Sequence, residues 1–139
     1  MITKPFTETE VCKIEKELSR RTDKLRDLAL FRMGVDTMLR TSDLRSLRVC
    51  DVQEATGEIR ERIEVKMKKT GRMVSCVLDE KTKSALTNWI EFSSKVNSDW
   101  LFTGRKGSEA ITDVQHRRLV KEWCVMAGID GARRSTHSV

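Results

Sequence analysis

The sharpest change of structural pattern in the chain occurs in Met38-Leu39-Arg40-Thr41-Ser42-Asp43-Leu44-Arg45-Ser46-Leu47-Arg48-Val49-Cys50-Asp51-Val52. Upstream of it, apolar residues at helical spacing from Leu25 to Leu39 predict a buried helix with Arg40 at its carboxyl end. The residues from Asp43 to Leu47 predict a further short helical piece, whereas Val49 to Val52 is β-like. A helical segment that leads directly into a sheet indicates an α+β fold.

The segment after this stretch predicts a β-meander. Thr56-Gly57 marks a turn, and Ile59, Ile63, Val65 and Met67 alternate along one face of a strand. A second strand from Met73 to Leu78 follows the turn Lys69-Thr70-Gly71-Arg72. Together with Val49 to Val52, these segments predict a three-stranded antiparallel sheet with Lys69 at a hairpin tip.

Three helix-start signals flank the predicted sheet. Thr7 and Glu10 form a capping box that predicts a helix to about Ser19, and Asp23 is a candidate cap for the next helix. Asp79 is a candidate cap for a helix whose core face is Ala85, Leu86, Trp89 and Ile90. The fold class is therefore α+β, a mainly helical domain with a small three-stranded antiparallel sheet.

The last predicted helix separates an apolar face from a basic face. Thr112 and Gln115 form its capping box, and Gly128 is placed to end it in a left-handed conformation. Its apolar face consists of His116, Leu119, Val120, Trp123, Cys124 and Ala127. The pattern predicts that His116 is a packed side chain rather than a ligand.

Composition bounds the class of protein. The 139 residues suit a single domain, and the net charge of +6 with a pI near 9.4 favours an acidic polymer or surface as partner, although an ordinary basic domain has the same charge. Four widely separated cysteines without nearby histidines predict buried free thiols in a reducing compartment and no zinc site. We find neither a membrane-spanning run nor a signal-peptide pattern, and this predicts a cytoplasmic protein with no membrane partner.

Four blocks in order resemble the catalytic domain of the tyrosine recombinases, also called phage integrases. They are Met38–Val52, Lys68–Arg72, Asp99–Phe102 with Ile111-Thr112, and Ala127–Ile129 with Thr136–Val139. The last block is similar to the family's His-x-x-Arg box, but it stops before the arginine, and the chain contains no tyrosine. The resemblance implies that residues 1–139 are a partial catalytic domain, without a separate amino-terminal DNA-clamping domain and with its carboxyl-terminal part missing.

The resemblance also implies a chemistry. These enzymes attack a DNA phosphodiester with a tyrosine hydroxyl, form a 3′-phosphotyrosyl link and need no metal or other cofactor. Arg40 matches the arginine that binds the nonbridging phosphate oxygens, Lys69 the lysine that protonates the leaving oxygen, and His137 the histidine that hydrogen-bonds the phosphate. Asp43 matches an acidic structural support; it is placed to orient Arg40 or to cap the short helix.

Each of these residues also has a plain structural interpretation. Without the surrounding blocks, a surface arginine at a helix end is the preferred interpretation of Arg40; with them, catalysis is preferred. Lys69 is alternatively part of a charged hairpin that protects an edge strand. Under the same structural interpretation, His137 is simply an exposed polar residue. Alignment of Thr70-Gly71 with the family pattern favours Lys69 over Lys68 as the catalytic lysine. An alignment shifted by one position, which selects Lys68, is left open.

Several basic residues are candidates for contacts with double-stranded DNA. On the hairpin these are Lys68 and Arg72; on the last helix, which is close to DNA in the family, they are Arg117, Arg118 and Lys121. A solvated basic helix face is an equally common explanation.

Two departures from the family concern the motifs themselves: Thr37-Met38 stands where many members have a glycine, and Thr136 replaces a frequent proline.

These observations predict a part of a site-specific DNA recombinase that binds DNA but does not cleave it. The alternatives are a non-catalytic DNA-binding module and a basic interaction protein unrelated to DNA. Family members act as tetramers on DNA, and we expect this chain itself to be a monomer or an adventitious dimer.

Overall fold

A computed structural model describes residues 6–104 and 107–129 of the chain. In order, the elements are α1 (Glu8–Ser19), α2 (Leu25–Thr37), α3 (Thr41–Arg45), α4 (Val49–Val52), β1 (Arg62–Lys66), β2 (Met73–Val77), α5 (Glu80–Ser93) and α6 (Asp113–Ala127). The predicted mainly helical α+β class is thus confirmed for the described residues.

Three helix starts follow from local capping. The hydroxyl groups of Thr7 and Thr112 accept hydrogen bonds from the amides of Glu10 and Gln115, and the capping box is complete in both cases. The Asp79 carboxylate accepts a hydrogen bond from the Thr82 amide at the start of α5. The predicted cap at Asp23 is wrong, because the N-cap of α2 is Lys24, which makes no side-chain capping bond.

Helix α2 lies at the centre of the helical layer and packs against α1 and α5. Its residues Ala29, Leu30, Phe31 and Met33 are fully buried. Burial of about two turns of apolar side chains on one helix supplies the main driving force for this arrangement. Helix α6 packs on α1, and the Trp123 ring meets the Phe31 ring edge to face at 5.6 Å between centroids.

Two polar contacts within the core fix the helices to one another. The Trp123 indole Nε1 donates to Asp27 Oδ2 at 3.0 Å, which joins α6 to α2. The buried Arg32 guanidinium on α2 donates to Asp36 and Asp79, and the Asp79 bond of 2.7 Å joins α2 to the start of α5. These directional bonds select one packing of the helices, because any other would leave buried polar groups without partners.

The sheet has two antiparallel strands within the described residues, so the prediction of three is wrong. Strands β1 and β2 pair from Arg62↔Val77 to Lys66↔Met73. The segment predicted as the third strand forms α4 instead, because Asp51 Oδ2 accepts the Arg48 amide at 2.7 Å and closes one helical turn. The residues that flank this segment form only isolated bridges, Arg48↔Trp100 and Gln53↔Ile59.

Other sequence predictions have mixed outcomes. All four cysteines are free, but Cys12 and Cys50 are exposed and only Cys76 and Cys124 are buried. None of the helices in residues 6–104 and 107–129 combines the length and the apolar character of a membrane span.

Candidate functional site

Arg40 lies in the short connection between α2 and α3. It is the N-cap residue of α3, with extended backbone at φ −63° and ψ 149°, and its carbonyl accepts the Leu44 amide at 2.9 Å. Buried Leu39 anchors the connection to the core, whereas the Arg40 side chain is exposed. Arg40 forms no ion pair with any residue of the described ranges. Its guanidinium is therefore available to an external anion. The sequence predicts that Arg40 ends the preceding helix. In the structure it instead begins α3.

Met38 explains how the chain turns before Arg40 without a glycine. It ends α2 in the left-handed region at φ 53° and ψ 25°, and its amide bonds to the Gly34 carbonyl. Glycine adopts this conformation without steric cost, whereas other L-residues are strained in it. A methionine therefore ends this helix in the left-handed conformation, and its side chain is 83% exposed.

Lys69 lies in the turn that joins β1 to β2, as predicted. The turn is closed by the Gly71 amide, which donates to the Met67 carbonyl at 2.8 Å, and Gly71 has the positive φ of 70° that the reversal requires. Lys68, Lys69 and Arg72 are all exposed. No described residue accepts a hydrogen bond from the Lys69 ammonium. The turn therefore presents Lys69 to solvent.

Asp43 joins the hairpin to the helix that Arg40 begins. The Asp43 side chain is 3% exposed, and its Oδ1 accepts the Lys68 backbone amide at 3.0 Å. Asp43 does not bond to Arg40. Its Oδ2 is buried and has no hydrogen-bond partner among the described residues. Asp43 thus supports the hairpin rather than the arginine.

A second contact reinforces this junction. The Lys68 ammonium donates to Ser46 Oγ at 2.5 Å, and Ser46 Oγ in turn donates to the Ser42 carbonyl. Lys68 is therefore folded back on α3 while Lys69 is not. The Lys68 ammonium is therefore already hydrogen-bonded within the domain, whereas no described residue accepts a hydrogen bond from the Lys69 ammonium.

The basic face of α6 is exposed, as the sequence pattern predicts. Arg117, Arg118 and Lys121 are solvent-accessible, while His116, Leu119, Val120, Trp123 and Cys124 are buried on the opposite face and Ala127 is partly buried. Gly128 ends the helix at φ 69°. The helix therefore separates a face that packs in the core from a face that can meet a polyanion.

His116 is a packed side chain and not a ligand-facing one. It is 1% exposed, and its Nδ1 is buried without a partner among the described residues. Burial, together with the positive charge of Arg45, lowers the pKa of His116 to about 4, although Asp113 opposes this. The imidazole is therefore neutral at physiological pH and adds no charge to the basic face.

His137 lies outside the described residues, and so does Thr136. Two polar residues that sequence reasoning did not single out lie at the site: Ser46 contacts Lys68, and Asp113 pairs with Arg117. The spacing of four between Asp113 and Arg117 is a helical ion-pair signal that the sequence carries. The Ser46 contact spans 22 residues and has no local signal.

Within the described residues, no group of three or more histidine, cysteine, aspartate or glutamate side chains is arranged to hold a metal ion. The exposed functional groups of the site include the side chains of Arg40, Lys69, Arg117, Arg118 and Lys121. Such groups bind phosphate oxygens by charge-assisted hydrogen bonds.

Comparisons with known proteins show which family and which fold the chain resembles. The model of the phage integrase family matches residues 4–139. Among solved structures, XerA recombinase superposes with a TM-score of 0.79 at 18% identity, covering 99% of this chain and 48% of that one. XerH site-specific recombinase bound to its difH substrate gives 0.75 at 20% identity, covering 96% and 40%. Lambda integrase bound to DNA gives 0.69 at 17% identity, covering 96% and 47%.

The chain belongs to the phage integrase family, the tyrosine recombinases. Members of this family carry out site-specific DNA recombination. The chain spans less than half the length of each of the three recombinases named above. Among curated proteins, none matches the sequence at a significant level.

Proposed function

We propose that this chain acts in site-specific DNA recombination, in which it binds duplex DNA and contributes the first arginine and the lysine of the phosphate site. Three features support the proposal: family membership, a basic surface, and DNA-bound structures among the similar recombinases. Arg40 and Lys69 are the residues that carry the chemistry, and His137 joins them by its motif.

The junction of Asp43 with Lys68 is the observation that carries the proposal. It links α3, which starts at Arg40, to the turn that presents Lys69, although 25 residues separate the two partners. A hydrogen bond from a buried carboxylate to a turn amide limits how far the hairpin can move away from α3. A single scaffold then holds the arginine block and the lysine block.

The roles follow from the chemistry of each side chain. The planar Arg40 guanidinium donates two parallel hydrogen bonds to nonbridging oxygens and offsets charge that builds on the phosphate. The Lys69 ammonium donates a proton to the leaving oxygen. His137 hydrogen-bonds the same phosphate. Neither a metal nor a cofactor takes part in this scheme.

The 139 residues contain no tyrosine, so they lack the hydroxyl group that the family uses as its nucleophile. We therefore propose that the chain as given binds DNA without breaking it. A nicked duplex that traps covalent protein–DNA intermediates tests this point. No covalent product is expected, and a product that migrates as a protein–DNA adduct would show that another side chain serves as nucleophile.

Binding itself is tested by the fluorescence anisotropy of a labelled duplex of mixed sequence. We expect weak, salt-sensitive binding that Arg40→Ala weakens and Arg40→Lys restores only in part, because lysine lacks the bidentate fork. Lys13→Ala on α1 is the matched control, since Lys13 is exposed and has no proposed contact. Equal losses for Lys13→Ala and Arg40→Ala would remove Arg40 from the site.

The second candidate is a non-catalytic module that binds DNA or another acidic partner. The absence of tyrosine and the exposed cations of α6 favour it. Binding of a DNA duplex at low salt separates a DNA-binding module from an interaction module unrelated to DNA. The DNA-binding module binds the duplex, and the unrelated module does not. On its own the chain is expected to sediment as a monomer or an adventitious dimer, and on DNA a recombinase of this kind is expected to act as a tetramer.

A further inference from the structure

The three exposed cations of α6 are not equivalent. Arg117 Nε lies 3.0 Å from Asp113 Oδ2, and the two side chains are about half exposed, at 54% and 49%. Arg118 and Lys121 are exposed and form no ion pair with any residue in the described ranges. One of the three cations is therefore held in place, and two are free.

The Asp113 carboxylate is held from two sides. Besides Arg117, it faces the Arg45 guanidinium, whose Nη2 lies 3.8 Å from Asp113 Oδ1. Arg45 lies on α3, the helix that Arg40 begins, and its own Nε is buried without a partner among the described residues. The carboxylate is therefore fixed to the body of the domain and not only to its own helix.

This arrangement changes what Arg117 can bind. Its charge is partly offset by the carboxylate at 3.0 Å, since solvent screens this half-exposed pair, and it attracts a phosphate less than a free arginine does. An Nε contact leaves the terminal amino groups free to point outward. These groups match the O6 and N7 acceptors of guanine in the major groove, which are uncharged. Fixing the side chain beforehand also reduces the conformational entropy lost on binding.

We propose that Arg117, held by Asp113, reads a guanine base, and that Arg118 and Lys121 contact phosphates. The inference rests on the proposed function and adds the specificity-determining residue to it. It assigns Asp113 the role of a positioning residue. An unpaired carboxylate on a surface that approaches DNA repels the phosphate backbone. Paired with Arg117, the Asp113 carboxylate instead orients the arginine side chain.

The test selects sequences from a pool of duplexes with a randomised central segment. The wild-type chain is expected to enrich a guanine at a fixed position. Arg117→Ala loses roughly tenfold of that enrichment, since a bidentate base contact discriminates by about this factor or more. Arg118→Ala, the neighbouring exposed arginine, keeps the enrichment. Replacing the selected guanine with 7-deazaguanine, which lacks N7, weakens wild-type binding but not binding by Arg117→Ala.

Salt dependence provides an independent readout that a merely structural role would not move. Arg118→Ala flattens the plot of log affinity against log salt by about 0.9, the value for one lost phosphate contact. Arg117→Ala leaves the slope nearly unchanged. Asp113→Asn frees the Arg117 charge, so it steepens the slope and reduces the guanine enrichment together. Melting followed by circular dichroism shows that each variant is folded before these comparisons are made.

The outcomes of these experiments separate a failure of the base-reading role of Arg117 from a failure of the proposed function. Failure of the wild-type chain to bind any duplex at low salt would overturn the proposed function, and this inference with it. Binding without an enriched guanine, or enrichment that survives Arg117→Ala, overturns the base-reading role alone. A flattened slope for Arg117→Ala equal to that for Arg118→Ala makes Arg117 an ordinary phosphate contact and equally overturns the proposal.

Discussion

The Lys68 amide donates a 3.0 Å hydrogen bond to the buried Oδ1 of Asp43, and through this bond the turn that carries Lys69 is attached to α3. The Lys68 ammonium adds a contact to Ser46 on the same segment. Strands of an isolated two-stranded hairpin are only marginally stable in water. The hairpin position therefore depends on its contacts with the helical part of the domain.

Replacing Asp43 with alanine should release the hairpin. The change leaves the Lys68 amide without its acceptor, and we expect a loss of about 1–3 kcal/mol in the free energy of unfolding. Hydrogen exchange of the Lys68 amide should also become faster. Urea denaturation and NMR exchange measure the two effects.

Asp43→Asn is the matched variant, because its amide oxygen retains an acceptor for the same bond. It should protect the Lys68 amide better than alanine does. Equal exchange rates at Lys68 in the wild type and in Asp43→Ala would show that the bond does not hold the turn in solution.

The parts of the fold that local chemistry determines were predictable from the sequence. A capping box needs only residues three positions apart, so the starts of α1 and α6 follow from Thr7 and Thr112. The missing third strand has a local cause and a distant one: Asp51 accepts the amide of Arg48, three residues earlier, and a remote segment supplies further hydrogen bonds. The amides of Val49 and Cys50 bond to the carbonyls of Asp99 and Asn97, and such distant partners leave no pattern in an apolar tetrapeptide.

The candidate site divides in the same way. Motifs single out Arg40 and Lys69, and both residues are exposed in the structure, while their catalytic roles stay predictions. The contact between Asp43 and Lys68 joins residues 25 positions apart, so no sequence periodicity reveals it. His137 remains a prediction.

Replacing Met38 with glycine should stabilise the protein. Met38 has a positive φ of 53° and an exposed side chain, so the change relieves backbone strain and removes little packing. We expect a gain of roughly 0.5–1 kcal/mol, the strain relief being partly offset by the greater entropy of unfolded glycine. Thermal and urea denaturation measure it.

Met73→Gly is the control, since Met73 is also exposed but lies in extended strand backbone. At the start of β2, glycine gains no relief of strain and raises the backbone entropy of the unfolded chain, so it destabilises. A loss of stability for both variants would mean that the left-handed conformation at Met38 is not strained.

Stability should fall in mild acid because of His116. Its pKa is lowered to about 4 in the folded protein, by burial and by Arg45, from the usual 6.5. Above pH 7 both states are neutral and stability is unaffected. Between pH 6.5 and 4 the unfolded chain binds the proton first, so roughly 3 kcal/mol is lost across this window.

The wild type and His116→Gln should be compared by urea denaturation at several pH values. Glutamine does not titrate, so the difference in free energy between the two proteins isolates the histidine from nearby Asp113. The wild type should lose stability relative to the variant as the pH falls. A difference that stays constant from pH 7.5 to 5 would mean that His116 protonates as readily in the folded protein as in the unfolded one.

Two tryptophans provide a comparison of buried hydrogen bonds. The Trp123 indole donates to the carboxylate of Asp27, and both residues are 1% exposed, whereas the half-buried Trp89 indole donates to the Leu101 carbonyl at 2.7 Å. Phenylalanine removes the donor in each case and keeps an aromatic ring. Trp123→Phe should cost about 1.5–3 kcal/mol, because its acceptor is charged, and Trp89→Phe about 0.5–1.5 kcal/mol. Chemical denaturation gives both free energies of unfolding. A larger loss of stability for Trp89→Phe than for Trp123→Phe would show that the hydrogen bond between Trp123 and Asp27 contributes little to the packing of α6 on α2.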